Sequence, residues 1–175
     1  MRARLLSSVL LLGVLLLAGC VPQQVDDPIE PAPSATPIFE SEDEALAAAV
    51  AAYEAYLKVS DEIMQDGGGE PERIEKVAGD PFLSVLLEGY QQMRDMGWIS
   101  TGSTQMRGEE LQSVGGNIVT LYVCEDVSQI DVQDSTGESV VDQNRPESTL
   151  FLATIEYGQN TSLLTTREVW SAEPC

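Results

Sequence analysis

The composition of this chain limits the chemistry that is open to it. Its 175 residues include no histidine, which excludes Ser-His-Asp and Cys-His catalysis and every metal site that uses imidazole ligands. The residues that remain for chemistry are carboxylates, tyrosines, lysines and three cysteines: Cys20, Cys124 and Cys175. An enzyme built from this sequence would need a carboxylate, a tyrosine or a lysine as its acid and base.

Cys20 follows a segment that is typical of exported proteins. Two arginines precede an apolar run from Leu5 to Leu17, which is shorter than the roughly 20 residues that a membrane-spanning helix needs. The tetrapeptide Leu-Ala-Gly-Cys at positions 17–20 resembles the bacterial lipobox. That resemblance implies a signal peptide over residues 1–19 and a diacylated Cys20, with the lipid holding the protein on the outer, extracytoplasmic face of the cell membrane. The alternative is an ordinary secretory signal with a cysteine there by chance.

Cys124 and Cys175 form an even pair once Cys20 is assigned to the lipid. In an oxidising extracytoplasmic compartment such a pair predicts a disulfide. The bond would tie the last residue of the chain to the middle of a predicted strand, and a loop of this size is worth about 4 kcal/mol in the chain-entropy model. Two free thiols, or a metal site built from two thiolates, are the alternatives.

The chain is strongly acidic, with 29 acidic and nine basic residues. Two basic and no acidic residues lie in residues 1–19, so the mature chain has seven basic residues and a formal charge of −22. Such a surface repels nucleic acid and anionic lipid headgroups. We therefore expect no nucleic-acid partner and membrane contact only through the lipid on Cys20. Solubility is one explanation of the charge, and a site for cationic ligands is the other.

Residues 20–40 contain five prolines and few large apolar side chains. A segment of this composition cannot bury enough surface to fold and predicts a flexible tether. The remaining residues, 41–175, have the length of a single domain.

Three helices are predicted in the first half of this domain. Ser41 and Glu44 have the spacing of a capping box, and a helical apolar stripe follows from about Glu42 to Met64, ending at a triple glycine. A short helix is predicted over 71–78. Asp80 and Pro81 predict the cap and first residue of a third helix, which ends at Gly97.

The period then changes to that of β-strands. A polar edge strand is predicted over 103–114, followed by a glycine turn and a central strand over 117–124 that is apolar on both faces. Further strands are predicted over 129–133, 149–157 and 163–170. Helices followed by antiparallel strands predict an α+β fold, with N-terminal helices packed on a curved antiparallel sheet.

This order of elements resembles the nuclear transport factor two-like fold, which includes SnoaL-like and ketosteroid-isomerase-like domains and is cone-shaped, as in cystatin-like folds. More specifically, the sequence is similar to a group of actinobacterial lipoproteins. The segments that carry this similarity are Ala51–Tyr56, Pro71–Arg73, Val123–Ser128, and Val169–Trp170 ahead of Cys175. In that group the two cysteines pair. None of these motifs is catalytic.

The resemblance implies an apolar pocket between the helices and the sheet. Four aromatic residues are predicted to line it: Tyr53, Tyr90, Tyr122 and Trp170. Packing of these residues in the core is the alternative.

An acidic cluster follows the central strand, formed by Glu125, Asp126, Asp131 and Asp134. It lacks the spacing of a calcium loop and is interpreted as a set of solvated turn carboxylates. No metal or cofactor is predicted.

Three functions are compatible with these features. The first is a non-catalytic binding or interaction module of a lipid-anchored protein, with an unknown envelope protein or small molecule as its partner. The second is a pocket for a small apolar ligand. The third is a carboxylate- or tyrosine-dependent enzyme in the isomerase style, which requires a buried Asp or Glu with a raised pKa.

Overall fold

The first helix, α1 (Glu42–Gln65), begins where the sequence predicts. The computed structural model describes residues 38–171 and 173–175, so the predicted signal peptide, Cys20 and most of the tether lie outside the described part. The Ser41 hydroxyl accepts a hydrogen bond from the backbone N–H of Glu44 at 3.1 Å. The Glu44 carboxylate accepts from the N–H of Glu40 at 2.7 Å, one residue before the partner that a capping box uses.

Two further helical segments follow α1. The first, Pro71–Lys76, is a 3₁₀ helix. The second, α2 (Phe82–Met96), begins after Pro81, which occupies the N-cap position. The prediction that Asp80 caps this helix was wrong, because the Asp80 carboxylate accepts a hydrogen bond from the Ser84 hydroxyl at 2.8 Å and no side chain caps the backbone.

Six antiparallel strands form two sheets. The strands are β1 (Ile99–Thr101), β2 (Gln105–Gly115), β3 (Ile118–Asp126), β4 (Asp131–Gln133), β5 (Ser148–Tyr157) and β6 (Ser162–Ser171). Four of them make the main sheet in the order β2-β3-β5-β6, and β1 and β4 form a separate pair. The predicted edge and central strands take those positions as β2 and β3, whereas β1 was not predicted.

The core lies between the helices and one face of the main sheet. On β3, Val119, Leu121 and Val123 are fully buried and alternate with Thr120 and Tyr122, which are only partly buried on the opposite face. The helices contribute a second set of buried side chains, including Tyr53, Ile63, Ile74 and Tyr90. The α+β class predicted from the sequence is confirmed.

Packing begins before the predicted domain boundary at residue 41. The ring of Phe39 meets the ring of Tyr157 edge-on, with centroids 5.0 Å apart. The last residues assigned to the tether therefore contribute to the domain.

Cys175 forms a disulfide with Cys124 of β3, with the two Cα atoms 5.9 Å apart. Within the described residues, no helix is long and apolar enough to cross a membrane.

Candidate functional site

A buried ion pair joins β3 to β6 across the intervening strand β5, on the core face of the sheet. Glu125 follows Val123 by two residues and so has the same inward phase on β3, and it is 4% exposed. Arg167 pairs with Ala153, which itself pairs with the buried Leu121. This register places Arg167 on the core face of the sheet beside Glu125.

The two charges are joined by a bidentate contact. Arg167 donates from Nε to Oε1 of Glu125 at 2.8 Å and from Nη2 to Oε2. Oε1 also accepts from the Tyr53 hydroxyl of α1 at 2.5 Å. The Arg167 guanidinium lies 3.6 Å from the ring centroid of Phe151, a cation–π contact. The carboxylate is therefore held by groups from a helix and a strand.

These contacts shift the acid–base behaviour of the group. Burial, followed by the charge of Glu125, raises the pKa of Tyr53 well above its ordinary value. Burial of Arg167 acts against its charged form, but its hydrogen bonds to Glu125 and the charge of Glu125 outweigh this and raise the pKa of Arg167. Tyr53 thus stays protonated and Arg167 stays charged, so both can keep donating hydrogen bonds to Glu125.

A second polar group lies about two turns after Tyr53 on α1. Asp61 is 7% exposed and accepts two hydrogen bonds from Thr104, from the backbone N–H at 2.9 Å and from the hydroxyl at 3.0 Å. Burial raises the pKa of Asp61 against the effect of these hydrogen bonds. The adjacent Ser60 accepts from the Tyr90 hydroxyl of α2 at 2.9 Å. Asp61 is thus a buried carboxylate that no cation of the described residues contacts by a hydrogen bond or salt bridge.

Both polar groups border a cleft of about 400 Å³ between α1, α2 and the strand ends. Its floor includes Glu125 and Arg167, and Asp61 and Tyr90 lie on its helical side. The apolar part of the lining is formed by Leu57, Met64, Val85, Leu86, Met93, Val127, Ile130 and Val132. Mixed lining of this kind, with a few buried polar groups among apolar walls, is typical of small-molecule sites.

Gly89 opens this cleft on the α2 side. A Cβ atom at this position would meet nothing within 4 Å. The absent side chain leaves space that belongs to the cleft.

The structure does not bring together the four aromatic residues predicted to line one pocket. Tyr53 and Tyr90 are buried in the core, and Tyr90 borders the cleft. Tyr122 lies on the opposite face of the sheet because of strand alternation, where its ring stacks against Trp170 with centroids 5.1 Å apart. Trp170 is 58% exposed. Within the described residues, Tyr53 and Tyr90 thus follow the alternative of core packing, whereas Tyr122 and Trp170 contact each other on the outer face of the sheet.

The predicted acidic cluster is also divided. Glu125 is buried, so its interpretation as a solvated turn carboxylate was wrong. Asp126 contacts Arg107 and the N–H of Ser128, and Asp134 caps its own turn. Among the described residues, no group of three or more His, Cys, Asp or Glu side chains is arranged to hold a metal ion.

Sequence reasoning missed Asp61 and Arg167. Asp61 lies eight residues after Tyr53 and four after Leu57, on the apolar stripe of α1. A charged residue on such a stripe signals a buried site. No comparable signal exists for Arg167, whose partner is 42 residues away.

The fold and cleft together define the class of this protein: an α+β domain with helices on one face of an antiparallel sheet and a polar-floored cleft between them. The sequence matches no protein-family model and no curated protein sequence. Among solved structures, the intermembrane-space region of the chloroplast protein ARC6 is similar, with a TM-score of 0.54 and 11% identity over 73% of this chain and 97% of that chain. The Kfla4162 protein from Kribbella flavida has a TM-score of 0.47 and 12% identity over 76% and 94% of the two chains. At such identities the likeness to the ARC6 region concerns the fold alone.

Proposed function

We propose that this protein is a membrane-anchored extracytoplasmic lipoprotein whose α+β domain is a non-catalytic binding module, with the helix–sheet cleft as its binding site. The observation that carries the proposal is the cleft of about 400 Å³, which combines apolar walls with buried charged groups. A concave site of this size suits a small molecule.

The polar groups of the cleft support binding over catalysis. Glu125 is held by Arg167 and Tyr53, and the Tyr90 hydroxyl is bonded to Ser60. Side chains that hydrogen-bond to one another are held in place and can orient a ligand. A catalytic base, in contrast, must be free to accept a proton from the substrate.

The anchoring part of the proposal rests on the first 20 residues of the sequence. An apolar run followed by Leu-Ala-Gly-Cys favours cleavage before Cys20 and lipidation of that cysteine. Intact-mass measurement of the protein from an actinobacterial host tests this part. We expect the loss of residues 1–19 and an added diacylglyceryl mass, and we expect the added mass to vanish in Cys20→Ser.

The binding part is tested by native mass spectrometry of the full chain, extracted in mild detergent from that host. A retained molecule is expected in the wild-type protein and not in Gly89→Trp, whose indole would fill the cleft from an open helical position. Glu88→Gln, on the same helix but outside the cleft lining, is the control and should retain the molecule. A retained molecule that persists in Gly89→Trp would contradict the cleft as its site.

A second candidate function is binding of an envelope protein at the outer face of the sheet. The observation that favours it is the ring of Trp170, which is 58% exposed and packs against Tyr122 on this face. Trp170→Ala would abolish partner binding if this face were the interface and would leave the retained molecule in place if the cleft were the site.

A carboxylate-dependent enzyme is a third candidate, and Asp61 favours it. This residue provides the buried carboxylate with a raised pKa that such a reaction requires. The fate of the retained molecule distinguishes an enzyme from a binding module. An enzyme would convert the molecule and change its NMR spectrum, and Asp61→Asn would prevent that change. A binding module would release the molecule unchanged.

A further inference from the structure

Asp61 has no opposite charge to balance it. The carboxylate is bonded only to the N–H and hydroxyl of Thr104, both neutral donors. Within the described residues, no Lys or Arg forms a salt bridge with it; Lys58, one turn earlier on α1, is exposed and makes none. A buried carboxylate without a counter-ion is costly.

Two of the other charged groups that line the cleft balance each other. Glu125 and Arg167 neutralise each other through two hydrogen bonds. Arg145 also lines the cleft; it donates to the backbone carbonyls of Val127 and Ile130 and forms no salt bridge within the described residues. The cleft therefore holds one carboxylate, Asp61, that no cation of the described residues contacts.

The surroundings of Asp61 suit an organic cation better than a metal ion. Two tyrosines, Tyr56 and Tyr90, border the same cleft, and aromatic faces attract ammonium groups. Met64, Leu86 and Met93 supply an apolar wall, which a hydrated metal ion would not use. The net charge of −20 also raises the local concentration of cations around the protein.

We propose that the cleft binds an organic ammonium compound with an apolar body, whose ammonium group lies against Asp61 and whose body lies between α2 and the sheet. This inference rests on the proposed function of the cleft as a binding site and names the class of ligand. The raised pKa of Asp61 has burial as its main cause, with the charge of Glu125 adding to it, and a bound ammonium would supply the compensation that is missing.

The test uses the full chain in phosphatidylcholine nanodiscs and three probes of similar size: 2-phenylethylammonium, 2-phenylethanol and phenylacetate. Titration calorimetry, with empty nanodiscs subtracted, gives their dissociation constants. Because a hydrogen bond to a charged group is worth a factor of ten or more, we expect the ammonium to bind about tenfold or more tightly than the alcohol. Phenylacetate should bind more weakly than either.

Two variants that each remove one negative charge test whether the preference for the ammonium probe depends on Asp61. Asp61→Asn removes the charge but keeps an oxygen that can accept from the Thr104 N–H, and its NH2 group can donate to the Thr104 hydroxyl oxygen. The ammonium should then bind about as weakly as the alcohol. Glu88→Gln removes one negative charge outside the cleft and should leave the selectivity unchanged. Equal loss in both variants would mean that only net charge matters and would overturn the proposal.

The remaining outcomes distinguish binding in the cleft from its selectivity for an ammonium group. If the alcohol binds as tightly as the ammonium and both are lost in Gly89→Trp, the cleft is a binding site but its proposed ammonium selectivity is wrong. If no probe binds the wild-type protein, the ammonium proposal is overturned. The retained-molecule measurement then decides the function of the cleft separately.

Discussion

Glu125 and Arg167 form a bidentate ion pair across the core face of the sheet, between residues 42 positions apart in the chain. The carboxylate side chain is 5% exposed and the guanidinium 24%. The pair ties β6 to β3 across the intervening strand β5. Removing either partner would leave the other charge poorly solvated.

We expect Glu125→Gln to lower the free energy of unfolding by about 3 kcal/mol, since breaking a buried pair typically costs 3–5 kcal/mol. Urea-induced unfolding measures this. Asp66→Asn, which breaks the exposed contact of Asp66 with Arg73, should cost less than about 1 kcal/mol. The double variant Glu125→Gln/Arg167→Met should be less destabilised than the sum of its single variants. Additive effects would contradict a coupled pair.

The disulfide should make a large contribution to stability. It closes a loop of sequence separation 51, for which the chain-entropy model gives about 4 kcal/mol. Cys124→Ser/Cys175→Ser should therefore lower the free energy of unfolding by roughly this amount, and reduction of the wild-type protein should produce a similar loss. An unchanged urea midpoint after complete reduction would show that the bond contributes little.

Two glycines should respond oppositely to alanine. Gly89 lies inside α2 with open space around it, so Gly89→Ala should stabilise the protein by about 0.5–1 kcal/mol through helix propensity. Gly68 has φ +81°, and a Cβ there would lie 2.3 Å from the carbonyl oxygen of Tyr90. Gly68→Ala should therefore cost more than about 1 kcal/mol. Thermal unfolding compares the two variants, and a destabilised Gly89→Ala would mean that the cleft is closed in solution.

Asp61 should make the protein less stable as the pH rises. Because burial raises the pKa of Asp61 above its ordinary value of 3.8, the folded state binds this proton more tightly than the unfolded state does. The destabilising contribution is therefore absent well below pH 3.8 and fully present above the folded-state pKa. Asp61→Asn should raise the melting temperature at pH 7 and lose that advantage as the pH falls to about 3.

Glu88→Gln controls for the general effect of removing one negative charge from an acidic protein. Its change in melting temperature should not follow the titration of Asp61. If the difference in melting temperature between Asp61→Asn and the wild-type protein is the same at every pH, burial of the charged Asp61 side chain does not destabilise the protein.

Local sequence determined most of the elements of this domain. The serine cap, the apolar stripe and the triple glycine specify α1 almost to the residue, because capping and helical period act within a few positions. The same applies to the order of edge and central strands, which follows from the polarity of β2 and the apolar faces of β3. The pairing of Cys124 with Cys175 followed from counting cysteines.

The tertiary structure decided which polar and aromatic residues form the site. Glu125 and Asp126 are neighbours of similar chemistry, yet the pleat of β3 turns one into the core and the other outward. Tyr122 falls on the outer face for the same reason, away from Tyr53. The cleft and its uncompensated Asp61 depend on strand register and on how α2 packs against the sheet. These are contacts between residues distant in sequence, and no local spacing along the chain encodes them.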